Sequence, residues 1–181
     1  LRLIPGIRYQ PHPAFALDER GQPRYLGKNV ADGRQKIADF PQTGTRELTA
    51  DDYIYQMKRL AHPRLHSPIF GMMADKIVGL KELGEALQNA AKEVPAGDWM
   101  DLDAYPLAGV EKVDSHTWRI RIKGKYPQFL FWLAMPFFAP VPREVDRFYT
   151  QPGMAAKNLT LDWWPVGTGP FMLSENDPNR R

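Results

Sequence analysis

Cysteine does not occur among the 181 residues. Its absence excludes a disulfide framework, a thiolate metal site and a cysteine nucleophile, and it leaves the compartment open. A long hydrophobic run is missing as well. The longest, residues 129–141, is too short to span a bilayer and is interrupted by Pro136 and Pro140, so no transmembrane segment is predicted. Charge of one sign is concentrated nowhere: 24 basic and 21 acidic residues leave a formal net charge of +3 spread along the chain, which gives nucleic-acid binding little support. Internal repeats and low-complexity tracts are lacking too. What is present is 43% apolar and 12% aromatic residues, enough for the packed core of one ordinary domain or a piece of a larger protein.

The first residues, Leu1-Arg2-Leu3-Ile4-Pro5-Gly6, carry no Met, no charged leader and no apolar signal core, and their alternation reads as the end of a strand. A second strand is expected over residues 170–174, followed by the turn-like Asn176-Asp177-Pro178. The expectation is an excised part of a longer chain, with any signal peptide upstream.

Between these ends the pattern is uneven. Residues 10–47 hold many breakers and little periodicity, so only a hairpin of residues 15–17 and 24–26 is expected there, the rest being loop. Thr49 caps a helix with Asp51 and Asp52 in its first turn; Tyr53, Met57, Leu60 and Ala61 mark its inner face, and Pro63 ends it near His62. A second helix is expected over residues 76–93, inner face Ile77, Leu80, Leu83, Leu87 and Ala91, weakened by Gly79 and Gly84. Residues 113–123 form the clearest strand, with Trp118, Ile120 and Ile122 inward and Arg119, Arg121 and Lys123 outward. Asp114-Ser115-His116 supplies a turn to a partner strand at 109–113. An aromatic helix over 126–135 and a further helical piece over 143–149 complete the reading. Phe129, Phe131, Trp132, Phe137 and Phe138 are assigned to a core. The implied class is α+β, with antiparallel strands and several packed helices.

Catalytic chemistry finds no foothold. Gly79 and Gly84 have phosphate-loop spacing, but Glu85-Ala86 stands where Lys-Ser/Thr must reach phosphate and magnesium. His62 and His66 are separated by Pro63 and lack a zincin context. Asp98, Asp101 and Asp103 lack the alternation, the Gly and the closing Glu of a calcium loop. No metal, no cofactor and no catalytic residue is expected. A hydrolase or peptidase-like domain using Asp51, Asp52 and Asp103 remains one alternative, and an interaction module docking through residues 136–142 another.

An ordered series of motifs points elsewhere. Leu48-Thr49-Ala50-Asp51-Asp52 opens the first helix; Ser67-Pro68-Ile69-Phe70 follows its turn; then come Asp114-Ser115-His116-Thr117-Trp118, Ala139-Pro140-Val141-Pro142 and Gly167-Thr168-Gly169-Pro170-Phe171. This series resembles the family 5 extracellular solute-binding proteins of bacterial ABC importers, over roughly residues 48–175. The resemblance implies a subdomain of the first lobe of a two-lobed periplasmic binding protein. Residues 1–181 would be mostly its smaller subdomain, with 167–181 starting re-entry into the larger one. It further implies a non-enzymatic, periplasmic monomer that captures a peptide or other small solute and delivers it to a membrane permease. Ile69, Phe70, Gly167 and Thr168 are then the ligand-wall candidates. Ile69 stands where peptide-binding members carry an aromatic residue, and residues 9–47 and 78–107 look expanded relative to them.

Overall fold

The computed structural model describes residues 1–95 and 97–176. They fall into two compact units: one takes in Leu1–Pro5, Met100–Pro142 and the stretch beginning at Thr49, the other Gly6–Leu48, Gly97–Trp99 and the chain from Arg143 onward.

The first unit is organised by helix α1 (Ala50–Arg59), whose entry is fixed by a capping box between Thr49 and Asp52. The buried Asp52 carboxylate accepts the Thr49 amide at 2.9 Å, which satisfies a backbone donor that the first helical turn cannot. Met57, Leu60 and Ala61 are buried as their spacing requires, and Tyr53 stacks on Trp118 at 5.5 Å. Lys58 is also buried; its ammonium donates to the Leu102 carbonyl at 3.2 Å and lies 3.7 Å from the Asp103 carboxylate. Short helix α2 (Phe70–Ala74), which the sequence pattern does not announce, and α3 (Leu80–Ala90) pack on this layer. Leu80, Leu83 and Leu87 of α3 are buried with Met73 and Ile77.

Helix α3 starts at Leu80, not at residue 76. Gly79 stands before it with φ 80°, residues 75–79 are turn apart from the bridge at Ile77, and Val78 donates its amide to the Arg121 carbonyl. Ile77 forms an antiparallel bridge with Ile122. The strands themselves are shorter than the alternation suggests: β1 (Val110–Lys112) and β2 (Trp118–Ile120) pair antiparallel, with Lys112 opposite Trp118. Residues 113–117 are consumed by the turn, where Val113 and Asp114 both donate to the Thr117 carbonyl. The facing is as expected, with Trp118 buried and Arg119, Arg121 and Lys123 exposed. Leu1–Leu3 extend this edge: Arg2 bridges Thr117, and Leu3 donates to His116.

The aromatic helix shrinks to α4 (Phe129–Leu133) followed by a 3-10 turn at Pro136–Phe138. Phe129 and Phe138 are core residues, and Trp132 and Phe137 pack partly against them. Phe131 does not belong with them. It is 75% exposed on the outer side of this short helix, beside Leu130, which corrects its assignment to the core.

The second unit is built largely from the stretch expected to be loop. Its regular elements are 3-10 turns at Pro13–Phe15, Ile37–Asp39 and Ala155–Lys157 and helix α5 (Arg143–Tyr149), the last with the bounds expected from sequence. Proline and glycine prevent a continuous ladder, so pairing is reduced to single bridges such as Arg8 with Glu47, His12 with Gly44 and Leu17 with Pro23. Burial supplies the cohesion instead. Phe40 meets Phe148 edge-on at 5.1 Å and Tyr25 at 5.2 Å, with the Arg34 guanidinium over the Phe40 ring at 4.8 Å. The strand expected at 170–174 is absent among the described residues, and Phe171 is 89% exposed.

Candidate functional site

In the first unit the chain leaves α1 at Arg59 and turns through Leu60, Ala61 and His62. His62 Nδ1 accepts the Arg64 amide at 3.2 Å, and the Arg64 guanidinium donates to the Val94 carbonyl at 2.6 Å, tying this turn to the end of the α3 region. His66 adopts φ 46°, a left-handed conformation that bends the chain toward Ser67 and α2. Ile69 is buried in the hydrophobic core at the start of α2, whereas Phe70 is only partly buried. The Phe70 ring lies against α3 at Gly84, where an added Cβ would come within 2.4 Å of Phe70 Cζ. Glycine at this position is therefore what admits the ring. Between the α1 exit, α2 and α3 lies a pocket of about 420 Å³, bordered by Phe70, His62, His66, Lys81, Gly84 and Glu85 among others.

The second pair of candidates, Gly167 and Thr168, belongs to the other unit, and both are half-buried. Gln10 holds this segment: its amide donates to the Gly167 carbonyl at 2.9 Å, its Oε1 accepts the Gly167 amide at 3.3 Å, and its Nε2 reaches the Pro165 carbonyl at 3.1 Å. Residues 167–168 are thus fixed in place by a residue far away in sequence.

One arrangement escapes sequence reading. His12 is buried, its Nδ1 accepts the Ala14 amide at 3.1 Å, and its Nε2 faces the Tyr149 hydroxyl at 2.9 Å. Nδ1 being the acceptor, Nε2 carries the proton and donates to Tyr149, whose hydroxyl donates in turn to the Trp164 carbonyl at 2.8 Å. Burial pushes the His12 imidazole down to about 3 and the Tyr149 phenol far above its usual range. No nucleophile stands next to His12 in this chain of bonds, so it is a scaffold for residues 12, 149 and 164 and not a general base. The only available hint was the isolated Pro11-His12-Pro13 itself, since no periodicity marks the position.

Chemistry at the other sequence candidates is structural. Asp51 pairs with Lys112 at 2.6 Å on the surface. Asp52 caps α1, Asp101 accepts the Asp103 amide at 3.1 Å in a 3-10 turn, and Asp103 neighbours Lys58. Gly79 and Gly84 sit before and within a helix, which is no phosphate cradle. Among the described residues no group of His, Asp or Glu side chains is arranged to hold a metal ion, and no helix is long and apolar enough to cross a membrane.

Comparison with known proteins follows the same direction. Residues 40–181 match the family described as bacterial extracellular solute-binding proteins, family 5 Middle. The chain is 29% identical over 126 residues to the periplasmic oligopeptide-binding protein OppA of Escherichia coli, covering 66% of this chain and 20% of that protein. It is 28% identical over 116 residues to the protein of the same name from Salmonella typhimurium, covering 61% of this chain and 19% of the relative. The matched part therefore spans about a fifth of the length of these curated relatives.

Proposed function

Because this chain belongs to the family 5 bacterial extracellular solute-binding proteins, we propose that it is part of a periplasmic protein that captures a peptide or similarly small solute and hands it to an ABC-type membrane importer. The family is a non-catalytic, transport-binding class, and the protein is not an enzyme. A capture protein of this kind works by reversible binding: a ligand that makes more contacts in a closed arrangement than in an open one shifts the population toward the closed one, which a permease can read. The observation that carries the proposal is the family match over residues 40–181. The solute class is suggested by the oligopeptide-binding relatives.

Within the chain, the residues assigned to ligand contact are Phe70, with Ile69 buried beneath the start of the same helix, and Gly167 with Thr168 on the segment held by Gln10. We take the functional state to be a monomer, with the solute and the permease as its partners. Purification of the full-length gene product from the periplasm followed by native mass spectrometry tests the reading. A bound small solute, released on denaturation and replaced by added peptide, is expected. A protein retained in the cytoplasm, or one that neither carries nor exchanges any solute, would contradict it.

A further inference from the structure

Helix α4 turns two adjacent large apolar side chains into solvent, Leu130 at 66% and Phe131 at 75% exposure. A lone exposed Leu is ordinary on a folded chain, but a neighbouring pair, with Met135 exposed just beyond the helix, makes an apolar tip. The other side of the same helix is anchored. Phe129 belongs to the core, and Trp132 Nε1 donates to the Tyr126 hydroxyl at 2.6 Å, so the tip stands on a packed base.

Cations gather beside that base. The Lys76 ammonium lies 5.3 Å from the centre of the Tyr126 ring, and Lys123 donates its amide to the Lys76 carbonyl at 2.7 Å. Lys123 and Lys125 flank Gly124, whose φ is 70°, just before Tyr126, and both are exposed. Charge balances over the chain as a whole, yet no Asp or Glu occurs between Asp114 and Glu144. Among the described residues Lys76, Lys123 and Lys125 make no ion pair, and neither does Asp75, the carboxylate next to Lys76 in sequence.

An apolar tip, an aromatic pair with polar ends and cations without carboxylate partners match the three zones of one surface. We propose that α4 docks reversibly on an anionic phospholipid bilayer, with Leu130 and Phe131 at the acyl boundary, Tyr126 and Trp132 at headgroup level, and Lys76, Lys123 and Lys125 against lipid phosphates. Charge chooses this occupant over a second copy of the chain, because a copy would bring the same cations together while an anionic bilayer neutralises them. Attachment of this kind grows with the apolar area inserted and with each cation near the surface, so neither half of the patch suffices alone. Nothing in the inference depends on which solute the protein captures.

The test is co-sedimentation of the full-length gene product with vesicles of phosphatidylcholine, alone or mixed with phosphatidylglycerol. Saturable binding to the mixed vesicles is expected, at least about tenfold weaker on phosphatidylcholine alone and falling as salt rises. Leu130→Ser combined with Phe131→Ser should lower it by at least about tenfold. Lys123→Gln and Lys125→Gln should each lower it roughly fivefold, and Lys123→Arg should keep it. All four positions are exposed, so the melting temperature should stay at that of the parent. Equal binding to both kinds of vesicle, full binding by the serine variant, or no binding at all would overturn the proposal. In the last case, a dimer in sedimentation velocity that the serine variant dissociates would identify a second copy as the occupant instead. The vesicles hold no permease and no solute is added, so failure here leaves the capture reading as it stood.

Discussion

His12 stays neutral in the folded chain down to about pH 3, whereas an unfolded chain protonates its histidine near 6.5. Between those values the unfolded state binds the extra proton, so this residue's contribution is complete above about pH 6.5 and is lost as pH falls toward 3. Urea unfolding at pH 7, 5.5 and 4.5 should show stability falling from this group alone, gently at first and approaching about 1.4 kcal/mol per pH unit between pH 5.5 and 4.5. In His12→Gln the slope should flatten over the same window. An unchanged slope in the variant would show that His12 is not the group responsible. Trp118 makes a simpler case. It is 2% exposed, stacks on Tyr53 and lies at the paired end of β2. Trp118→Ala should cost roughly 3–5 kcal/mol, read as a drop in denaturant midpoint; a midpoint within error of the parent would mean that the stacked layer does not support the core.

Helix boundaries decide more of this fold than strand ladders do. The capping box predicts that Asp52→Ala destabilises by about 1 kcal/mol, in thermal or chemical unfolding, while Asp51→Ala on the exposed side is close to neutral. Gly79 tests the opposite kind of end. On propensity alone Gly→Ala beside a helix would help, but Gly79 has φ 80° and an added Cβ would come within 3.0 Å of the Ala108 amide nitrogen. Gly79→Ala should therefore lose at least about 1 kcal/mol, and a gain in melting temperature would contradict the observed start of α3. These local signals explain what the sequence discloses. Thr49 and Asp52 write the start of α1 in neighbouring residues, although the helix ends at Arg59, short of the end near His62 that Pro63 suggests, and Pro142 followed by an apolar pattern marks the start of α5. The aromatic cluster of Tyr25, Phe40 and Phe148 is unreadable for the converse reason: its members are far apart in sequence, lie mostly in irregular chain and share no period. The early part of the expected strand 113–123 fails because Asp114 commits to a turn, its carboxyl held below the usual range by hydrogen bonds from the His116 and Thr117 amides. Phe131 fails because a helix of five residues cannot bury every side of itself.

At the scale of the molecule, family membership and the two compact units place different demands on the same chain. The family match begins at residue 40 and takes in parts of both units, so neither unit alone carries the resemblance. Of the four ligand-wall candidates, Ile69 and Phe70 fall in the first unit and Gly167 and Thr168 in the second. Sequence motifs identified the segments, since Ser67-Pro68 and Gly167-Thr168-Gly169-Pro170 are local. Burial of Ile69 and the resting of Phe70 on Gly84 depend on packing that only the structure contains. Because the matched region is about a fifth of the relatives' length, the proposed capture of a solute is tested on the full-length gene product beside this chain. A site that buries most of its ligand loses much of that contact area when part of its wall is missing. The most direct measurement is calorimetry of the full-length gene product and of this 181-residue chain against one library of two- to five-residue peptides. The account predicts saturable binding to the full-length protein, weakened in Phe70→Ala, with the chain alone binding at least about a hundredfold more weakly or not detectably, a difference of about 2.7 kcal/mol. Binding of a peptide by the isolated chain as tightly as by the full-length protein, or no binding of any solute by the latter, would contradict it.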